Sequence, residues 1–172
     1  MSGHRMRPLL ERPATGRLVV AEPVLNRTRE LLQQAGARMP PHEGLVWWFG
    51  RRTGTDTLVL ACHRPPCRSG PLFVLTDEFA AGSAARAARA ARLGLVAQVH
   101  SHPGADTRHS DGDDDIVLMP FEGMFSLVVA EYGGGGMVPA DGAGLHQFQD
   151  SRWILVRQTE PALIVVATEV TA

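Results

Sequence analysis

The chain of 172 residues is poor in several features, and each scarcity narrows the range of functions. It has no lysine, so that all 17 of its basic residues are arginine. Because 18 acidic residues balance them, the net charge is −1, which argues against an overall attraction to nucleic acid or to a membrane surface. No apolar run approaches the roughly 20 residues that a membrane-spanning helix needs.

Cysteine is also scarce, with only Cys62 and Cys67 in the sequence CHRPPC. The first 17 residues, MSGHRMRPLLERPATGR, are polar and lack the apolar core of a signal peptide. We therefore expect a cytoplasmic protein in which both cysteines are reduced thiols. A second metal site at Cys62, His63 and Cys67 is disfavoured, because these residues offer only three of the four ligands of a structural zinc.

Composition and hydrophobic patterning predict one globular domain over residues 1–172. Hydrophobic residues make up 44% of the chain and charged residues 20%, which are ordinary values for a globular protein. Helices and strands mix without a strict alternation, which predicts an α/β or mixed α+β fold with a central mixed β-sheet flanked by helices. Helices are predicted at 22–37, 76–93 and 110–119, and strands at 17–20, 44–50, 55–63, 71–75, 95–102, 124–130, 145–149, 152–158 and 162–170.

The sequence HSHPGADTRHSDGD, residues 100–113, is rich in side chains that can bind a metal. Alternation along a strand points His100 and His102 to the same face, with Cα atoms roughly 6.5 Å apart, so that two imidazoles can converge on one ion. Ser110 and Asp113 fit the S-x-x-D capping box of a helix start, which is a purely structural interpretation. The intervening loop also allows Asp113 to fold back as a third ligand. Two histidines and one carboxylate leave a fourth position open for water, as in catalytic zinc sites.

These four side chains resemble the signature H-x-H-x7-S-x-x-D of the JAMM zinc metalloproteases, also called MPN or JAB domains, in their prokaryotic branch. His100, His102, Ser110 and Asp113 fill every defined position of that signature. The resemblance covers about residues 22–150 and implies an MPN/JAB-like fold. Its layering would be similar to that of the cytidine deaminases, whose own H-x-E and C-x-x-C signature does not fit here.

The family has one more catalytic residue, a glutamate upstream of this motif. The residues alone leave Glu43, Glu78 and Glu131 open, and the similarity of PHEGLVWWFG to the family's HEG segment before a strand selects Glu43. The resemblance then implies Zn²⁺ held by the two histidines and the aspartate, with Glu43 as general base and Ser110 as hydrogen-bond donor to the oxyanion. His109, beside Ser110, is expected to line the cleft or to be exposed.

The resemblance implies a zinc-dependent peptidase or isopeptidase that cleaves an amide bond at the C-terminus of a ubiquitin-like or sulfur-carrier protein, alongside conjugation-pathway enzymes. Residues 132–144, where larger relatives carry an inserted zinc site, contain neither cysteine nor histidine. A non-catalytic MPN-type scaffold is disfavoured because such scaffolds lose ligands, and a zinc hydrolase of a small molecule stays open. A GC-rich genome explains the absence of lysine; the alternative hypothesis is that it protects the enzyme from self-tagging.

Overall fold

The computed structural model describes residues 9–76, 78–110, 112–116, 120–157 and 161–168. Within these ranges the chain forms two α-helices, α1 (Glu22–Gly36) and α2 (Glu78–Ala90), and neither is long and apolar enough to cross a membrane. The strands are β1 (Glu11–Arg12), β2 (Leu18–Ala21), β3 (Leu45–Thr53), β4 (Asp56–His63), β5 (Cys67–Gly70), β6 (Phe73–Thr76), β7 (Gly94–Ser101), β8 (Phe125–Val129), β9 (Gly144–Gln149), β10 (Arg152–Val156) and β11 (Leu163–Val166).

Nine strands form one mixed sheet in the order β1-β10-β9-β8-β7-β3-β4-β2-β11, and β5 and β6 form a separate hairpin. The middle strand, β7, pairs in parallel with β8 and antiparallel with β3. Its backbone is therefore fixed from both sides. Because β7 ends at Ser101, His100 lies at its carboxyl end and His102 directly follows the strand, both at the centre of the sheet.

The two helices cover opposite faces of this sheet. Leucines of α1 pack into the core cluster that contains Val46 and Trp48, whereas alanines of α2 pack into the cluster that contains Leu45, Trp47 and Phe49. Consecutive residues of β3 thus face opposite sides, as the pleat of a strand requires. The predicted central mixed sheet flanked by helices is confirmed.

Helix α1 forms close to where the sequence predicts it. Pro23 lies in the first turn, where its missing N–H deprives the helix of no hydrogen bond. The helix ends at Gly36, one residue before the predicted end. Its buried side chains recur every three or four residues and form one face, which consists of Leu25, Thr28, Leu31, Leu32 and Ala35.

The helix predicted over residues 110–119 is wrong. Within the described part of this segment, the chain makes a single 3₁₀ turn at Asp113–Asp115. Residues 111 and 117–119 lie outside the described residues. A capping pattern predicts where a helix can start but not how far it runs, because the length depends on what the segment packs against.

Other predicted boundaries shift by a few residues. Thr76 ends β6 instead of beginning α2, while Asp77 lies outside the described residues. Helix α2 ends at Ala90, before Arg92 adopts a positive φ of 57°. The ends of the last two predicted strands, at residues 158 and 169–170, are also outside the described residues.

Two short strands were missing from the prediction. Strand β1 has two residues and exists through its parallel pairing with β10. Strand β5, with the sequence CRSG, has no apolar alternation and exists through its hairpin pairing with β6. Both strands depend on partners that the local sequence does not reveal.

A buried hydrogen bond joins α1 to the middle of β3. The indole Nε1 of Trp48 donates to Thr28 Oγ1 over 2.7 Å, and that hydroxyl donates to the carbonyl of Val24 over 2.8 Å. Thr28 and Trp48 both have no exposed surface. The bond therefore satisfies an indole N–H that water cannot reach.

We expect Thr28→Val to lower the free energy of unfolding by about 1–3 kcal/mol, because it leaves the buried Trp48 N–H without an acceptor. Urea unfolding followed by tryptophan fluorescence measures this loss. Thr28→Ser is the matched control, because it keeps the hydroxyl and loses one methyl group, worth about 0.8 kcal/mol. A Val variant as stable as the Ser variant would contradict the assigned role of the hydrogen bond.

Candidate metal centre

Three buried side chains converge at the carboxyl end of β7. His100 Nε2 lies 3.2 Å from His102 Nε2 and 3.2 Å from Asp113 Oδ1, and His102 Nε2 lies 3.1 Å from Asp113 Oδ2. His100 is fully buried, and His102 and Asp113 are 8% and 4% exposed. Among the described residues, this is the single group of three or more potential ligands that lie close enough to hold one metal ion.

Hydrogen bonds fix the ring of His102. Its Nδ1 lies 2.8 Å from the carbonyl oxygen of Asp106. Since a carbonyl only accepts, Nδ1 carries a proton, and Nε2 is the nitrogen that faces the other ligands. The backbone is held as well, because His102 N–H donates to the Val129 carbonyl and Tyr132 N–H donates to the His102 carbonyl. Sequence analysis missed these supports, since main-chain groups leave no mark in a sequence.

Asp113 approaches the histidines from the 3₁₀ turn. Its Oδ2 accepts a hydrogen bond from the backbone N–H of Ser110 over 2.6 Å, which is one half of the predicted capping box. The other half is absent within the described ranges, because Asp113 N–H donates to the Ser110 carbonyl over 3.1 Å instead of to the hydroxyl. The Ser110 hydroxyl is therefore not committed to the cap. The same carboxylate of Asp113 thus accepts the hydrogen bond from the Ser110 N–H and lies within reach of both histidines.

Electrostatics in this cluster suit a bound cation. Burial acts to raise the pKa of Asp113, but the charges of His100 and His102 and their hydrogen bonds outweigh it and hold that pKa far below its ordinary value. Burial opposes protonation of His102, but the hydrogen bond to Asp113 and its charge raise the pKa of His102 overall. A positive charge beside the buried carboxylate therefore stabilises it. Two imidazole nitrogens and one carboxylate are a donor set that can supply it by holding a metal ion.

Glu43 lies beside the same cluster and is 6% exposed. Its position follows from the pairing of β3 with β7: Gly44 N–H donates to Ser101 Oγ over 2.9 Å, and Ser101 N–H donates to the Gly44 carbonyl over 3.0 Å. The N–H of Glu43 itself donates to the carbonyl of Gly70 in β5. Burial raises the pKa of Glu43 to about 7, a value suited to a general base near neutral pH.

Four of the five predicted site residues share one groove of about 430 Å³, whereas the fully buried His100 does not line it. Glu43, His102, Ser110 and Asp113 all line it. The apolar wall of this groove consists of four consecutive residues of the β5–β6 hairpin and one further side chain. These residues are Leu72, Phe73, Val74, Leu75 and Ile116. Side chains of a strand alternate between faces, so a run of consecutive lining residues indicates that the edge of β6 borders the groove.

A second pair of histidines lies buried behind the cluster. The rings of His109 and His146 stack with centroids 4.1 Å apart, and His109 Nε2 lies 2.9 Å from Ser126 Oγ. The expectation that His109 lines the cleft or is exposed is therefore wrong, since its ring turns inward and is 2% exposed. Burial lowers the pKa of His109 to about 3 and that of His146 well below its ordinary value, so that both rings are neutral at pH 7.

The remaining sequence candidates lie away from the groove. Cys62 packs against the core on the α1 side and Cys67 against the core on the α2 side, and both are free thiols. These two cysteines and His63 form no ligand cluster within the part of the chain that the structure describes. His42, next to Glu43, instead places its Nδ1 3.1 Å from Ser69 Oγ.

We expect acidification to destabilise the metal-free wild type relative to its His109→Gln variant. In the unfolded chain a histidine takes up a proton below about pH 6.5, whereas folded His109 does so only near 3. Between these values the unfolded state binds the extra proton, so the contribution of His109 to the free energy of unfolding falls as pH falls, by up to about 1.4 kcal/mol per pH unit. The raised pKa of Glu43 acts in the opposite sense in both proteins and cancels in the comparison.

Urea unfolding in the presence of a chelator, at pH 7.5 and 5.5, measures this dependence. His63→Gln, at an exposed histidine, provides the control for loss of an imidazole elsewhere in the chain. An equal change of stability in wild type and His109→Gln would show that the native state protonates His109 as readily as the unfolded chain does.

Comparison with known proteins places this arrangement in a family. The fold is similar to the solution structure of a protein from Desulfitobacterium hafniense, with a TM-score of 0.63, 16% identity, and coverage of 88% of this chain and 93% of that chain. A solution structure from Salinibacter ruber has a TM-score of 0.53 and 20% identity, covering 83% and 93% of the two chains. No curated protein has significant sequence similarity to the chain.

The family match covers the residues of the candidate site. The profile of prokaryotic homologs of the JAB domain matches residues 24–137, which is more than half of the chain and includes Glu43 and the segment from His100 to Asp113. The chain therefore belongs to the prokaryotic homologs of the JAB domain.

Proposed function

We propose that this JAB-domain protein is a zinc-dependent peptidase or isopeptidase that cleaves an amide bond at the C-terminus of a ubiquitin-like or sulfur-carrier protein. The observation that carries the proposal is the juxtaposition of a buried His-His-Asp ligand group with a buried glutamate at the floor of one groove. A non-catalytic scaffold has no need of a buried, charged cluster that opens on a groove, because such a cluster costs stability.

Zinc is the metal we assign to His100, His102 and Asp113. Two imidazoles and one carboxylate are typical of catalytic zinc sites, in which a fourth position stays open. Bound there, the ion would supply a positive charge that acidifies a water molecule and polarises the scissile carbonyl. The hydrogen bond from His102 Nδ1 to the Asp106 carbonyl keeps the Nε2 lone pair available for this purpose.

Glu43 is the general base and then the general acid of the proposed reaction. Its carboxylate takes a proton from the attacking water and delivers it to the leaving amine. A pKa of about 7 lets the same group accept and release a proton near neutral pH. The paired hydrogen bonds between Gly44 and Ser101 hold Glu43 next to the ligands of β7.

Ser110 stabilises the charge that develops on the carbonyl oxygen. Its hydroxyl lines the groove and is not used by the cap of the 3₁₀ turn. A donor of this kind is worth about 3 kcal/mol in the transition state.

The substrate we assign is an extended tail that ends in glycine. Strand β6 pairs with β5 on one side, and within the described residues no strand pairs with its other edge. An extended tail can add to such an edge through main-chain hydrogen bonds, while Phe73 and Leu75 offer apolar contacts beside it. Small residues at the cleavage site would allow the tail to approach the buried ligands. Conjugation-pathway enzymes are the partners we propose, and the cytoplasmic location stays a prediction.

Metal content and cleavage, measured on the same samples, test this function. We expect one zinc per wild-type chain, its loss in His102→Ala, and its retention in Glu43→Gln. Cleavage of a Gly-Gly-ended sulfur-carrier protein fused at its C-terminus to a reporter should be lost in both variants, by about 10²- to 10⁴-fold in Glu43→Gln. His63→Ala, which alters an exposed histidine outside the groove, should keep both zinc and activity.

The outcomes separate the alternatives. Absence of bound zinc in wild-type protein prepared with excess zinc would refute the catalytic interpretation. Zinc without cleavage of the fusion would leave the scaffold or the small-molecule hydrolase, and turnover of small amide substrates would distinguish these two.

Substitution in the apolar wall tests how the tail is bound. We expect Phe73→Ala to raise KM and to lower kcat/KM about tenfold, because it removes an apolar contact that the substrate makes before and during reaction. Steady-state kinetics on the fusion substrate give this value. Phe79→Ala is the matched control, since Phe79 is 80% exposed and does not line the groove. Equal effects of the two substitutions would place the tail elsewhere.

A further inference from the structure

One buried side chain anchors the loop that precedes Asp113. We call residues 103–112, between His102 and Asp113, the ligand loop. Among its described residues only His109 is buried. The neighbouring Arg108 and Asp106 are exposed and pair with each other over 2.6 Å. His109 is therefore the buried anchor of this loop, beside two hydrogen bonds that fix its backbone and its Thr107 side chain, from His102 Nδ1 to the Asp106 carbonyl and from Thr107 Oγ1 to the Gly142 carbonyl.

Three contacts bind His109 to the sheet. Its backbone N–H donates to His146 Nε2 over 3.3 Å, its ring stacks on the ring of His146, and its Nε2 lies 2.9 Å from Ser126 Oγ. His146 and Ser126 face each other across β9 and β8, so these contacts come from one place in the sheet. The ring of Trp153 closes the site at a centroid distance of 5.0 Å from His109.

The hydrogen bond that His146 Nε2 accepts from the His109 N–H determines which nitrogen of the His146 ring carries the proton. A nitrogen that accepts a hydrogen bond carries no proton, so Nε2 of His146 is the lone-pair nitrogen of a neutral ring. An amide oxygen of similar reach can replace this acceptor, whereas an aliphatic side chain of similar size cannot.

His109 is one residue away from the backbone N–H that holds Asp113. His109 precedes Ser110, whose N–H holds Asp113 Oδ2 at 2.6 Å, and the same oxygen lies 3.1 Å from His102 Nε2. Displacement of the His109 backbone would therefore move the Ser110 N–H and with it the carboxylate.

A second close approach fixes the loop just before His109. The Thr107 carbonyl comes so near to Gly144 at the start of β9 that a Cβ at Gly144 would lie 1.9 Å from the carbonyl oxygen. The loop therefore has little room to shift along the sheet.

We propose that His109 and His146 are positioning residues, which hold Ser110 and Asp113 where the aspartate can share a metal ion with the two histidines of β7. Neither ring lines the groove, so neither acts on the substrate. The inference rests on the proposed function for the identity of the metal and of the reaction. Groups hydrogen-bonded to metal ligands typically contribute 10- to 100-fold to metal affinity, and His109 and His146 position one such group, the Ser110 N–H.

Zinc affinity of two His146 variants tests the proposal. We expect His146→Leu to weaken zinc binding 10- to 100-fold, because it removes the acceptor for the His109 N–H, and His146→Gln to recover most of the loss. Competition with a chromophoric chelator measures the dissociation constant, and the melting temperature of the metal-free protein reports folding. His63→Leu, at an exposed histidine, should bind zinc as the wild type does.

A merely structural role makes a different pattern. It would lower the melting temperature of both His146 variants and leave the zinc affinity of the folded protein unchanged, which would overturn the proposal. Equal zinc affinities of His146→Leu and His146→Gln would overturn it as well. If His146→Leu does not fold, Ser126→Ala provides the milder change, because it removes the hydroxyl partner of His109 Nε2. Unchanged zinc affinity in that variant would be equally decisive against positioning.

Failure of the proposed function is distinguishable from failure of this inference. Wild-type protein that binds zinc but does not cleave the fusion refutes the substrate and leaves the affinity comparison intact. Wild-type activity with no affinity change in the His146 and Ser126 variants refutes the positioning pair alone.

Discussion

The carboxylate of Asp113 is the interaction on which the site depends. It is almost fully buried, and it contacts both histidines of β7 and the backbone N–H of Ser110. A buried carboxylate is costly unless it is paired and hydrogen-bonded. The surrounding donors meet that requirement and at the same time fix the carboxylate in the place where a metal ion would bind. The same contacts therefore stabilise the turn and set the geometry of the site.

The sheet beneath this carboxylate is adapted to it. Instead of apolar side chains, the sheet under the ligand loop presents Gln98, Ser126 and His146, which hydrogen bonds and ring stacking link to His109 of the loop. Such a buried polar network specifies one arrangement, because a displaced member leaves its partners unsatisfied. The apolar clusters that hold the fold together lie on the two helix-covered faces. The precise arrangement of the His-His-Asp group thus comes at the expense of some of the apolar packing that a uniform core would provide.

The groove joins parts of the chain that are remote in sequence. Glu43 precedes β3, the histidines end β7, and the apolar wall belongs to the β5–β6 hairpin. Hydrogen bonds between Gly44 and Ser101 and between Glu43 N–H and the Gly70 carbonyl tie these three parts together. Strand pairing consequently sets the positions of Glu43 and the two histidines, whereas the apolar wall belongs to a separate hairpin. Substitutions in that wall can therefore leave the His-His-Asp group in place.

Local pattern determined much of this protein. Spacing and residue type predicted the His-His-Asp group, the helix near Glu22–Gly36 and a mixed sheet flanked by helices, because strand alternation and helical periodicity act over a few residues. The choice of Glu43 needed a family resemblance. Only the tertiary structure decided the inward turn of His109 onto His146, the support of His102 by the Asp106 carbonyl, and the 3₁₀ turn at Asp113–Asp115 within a segment predicted to be helical. These features depend on contacts between residues far apart in the chain and on main-chain groups, and neither leaves a periodic signal in a sequence.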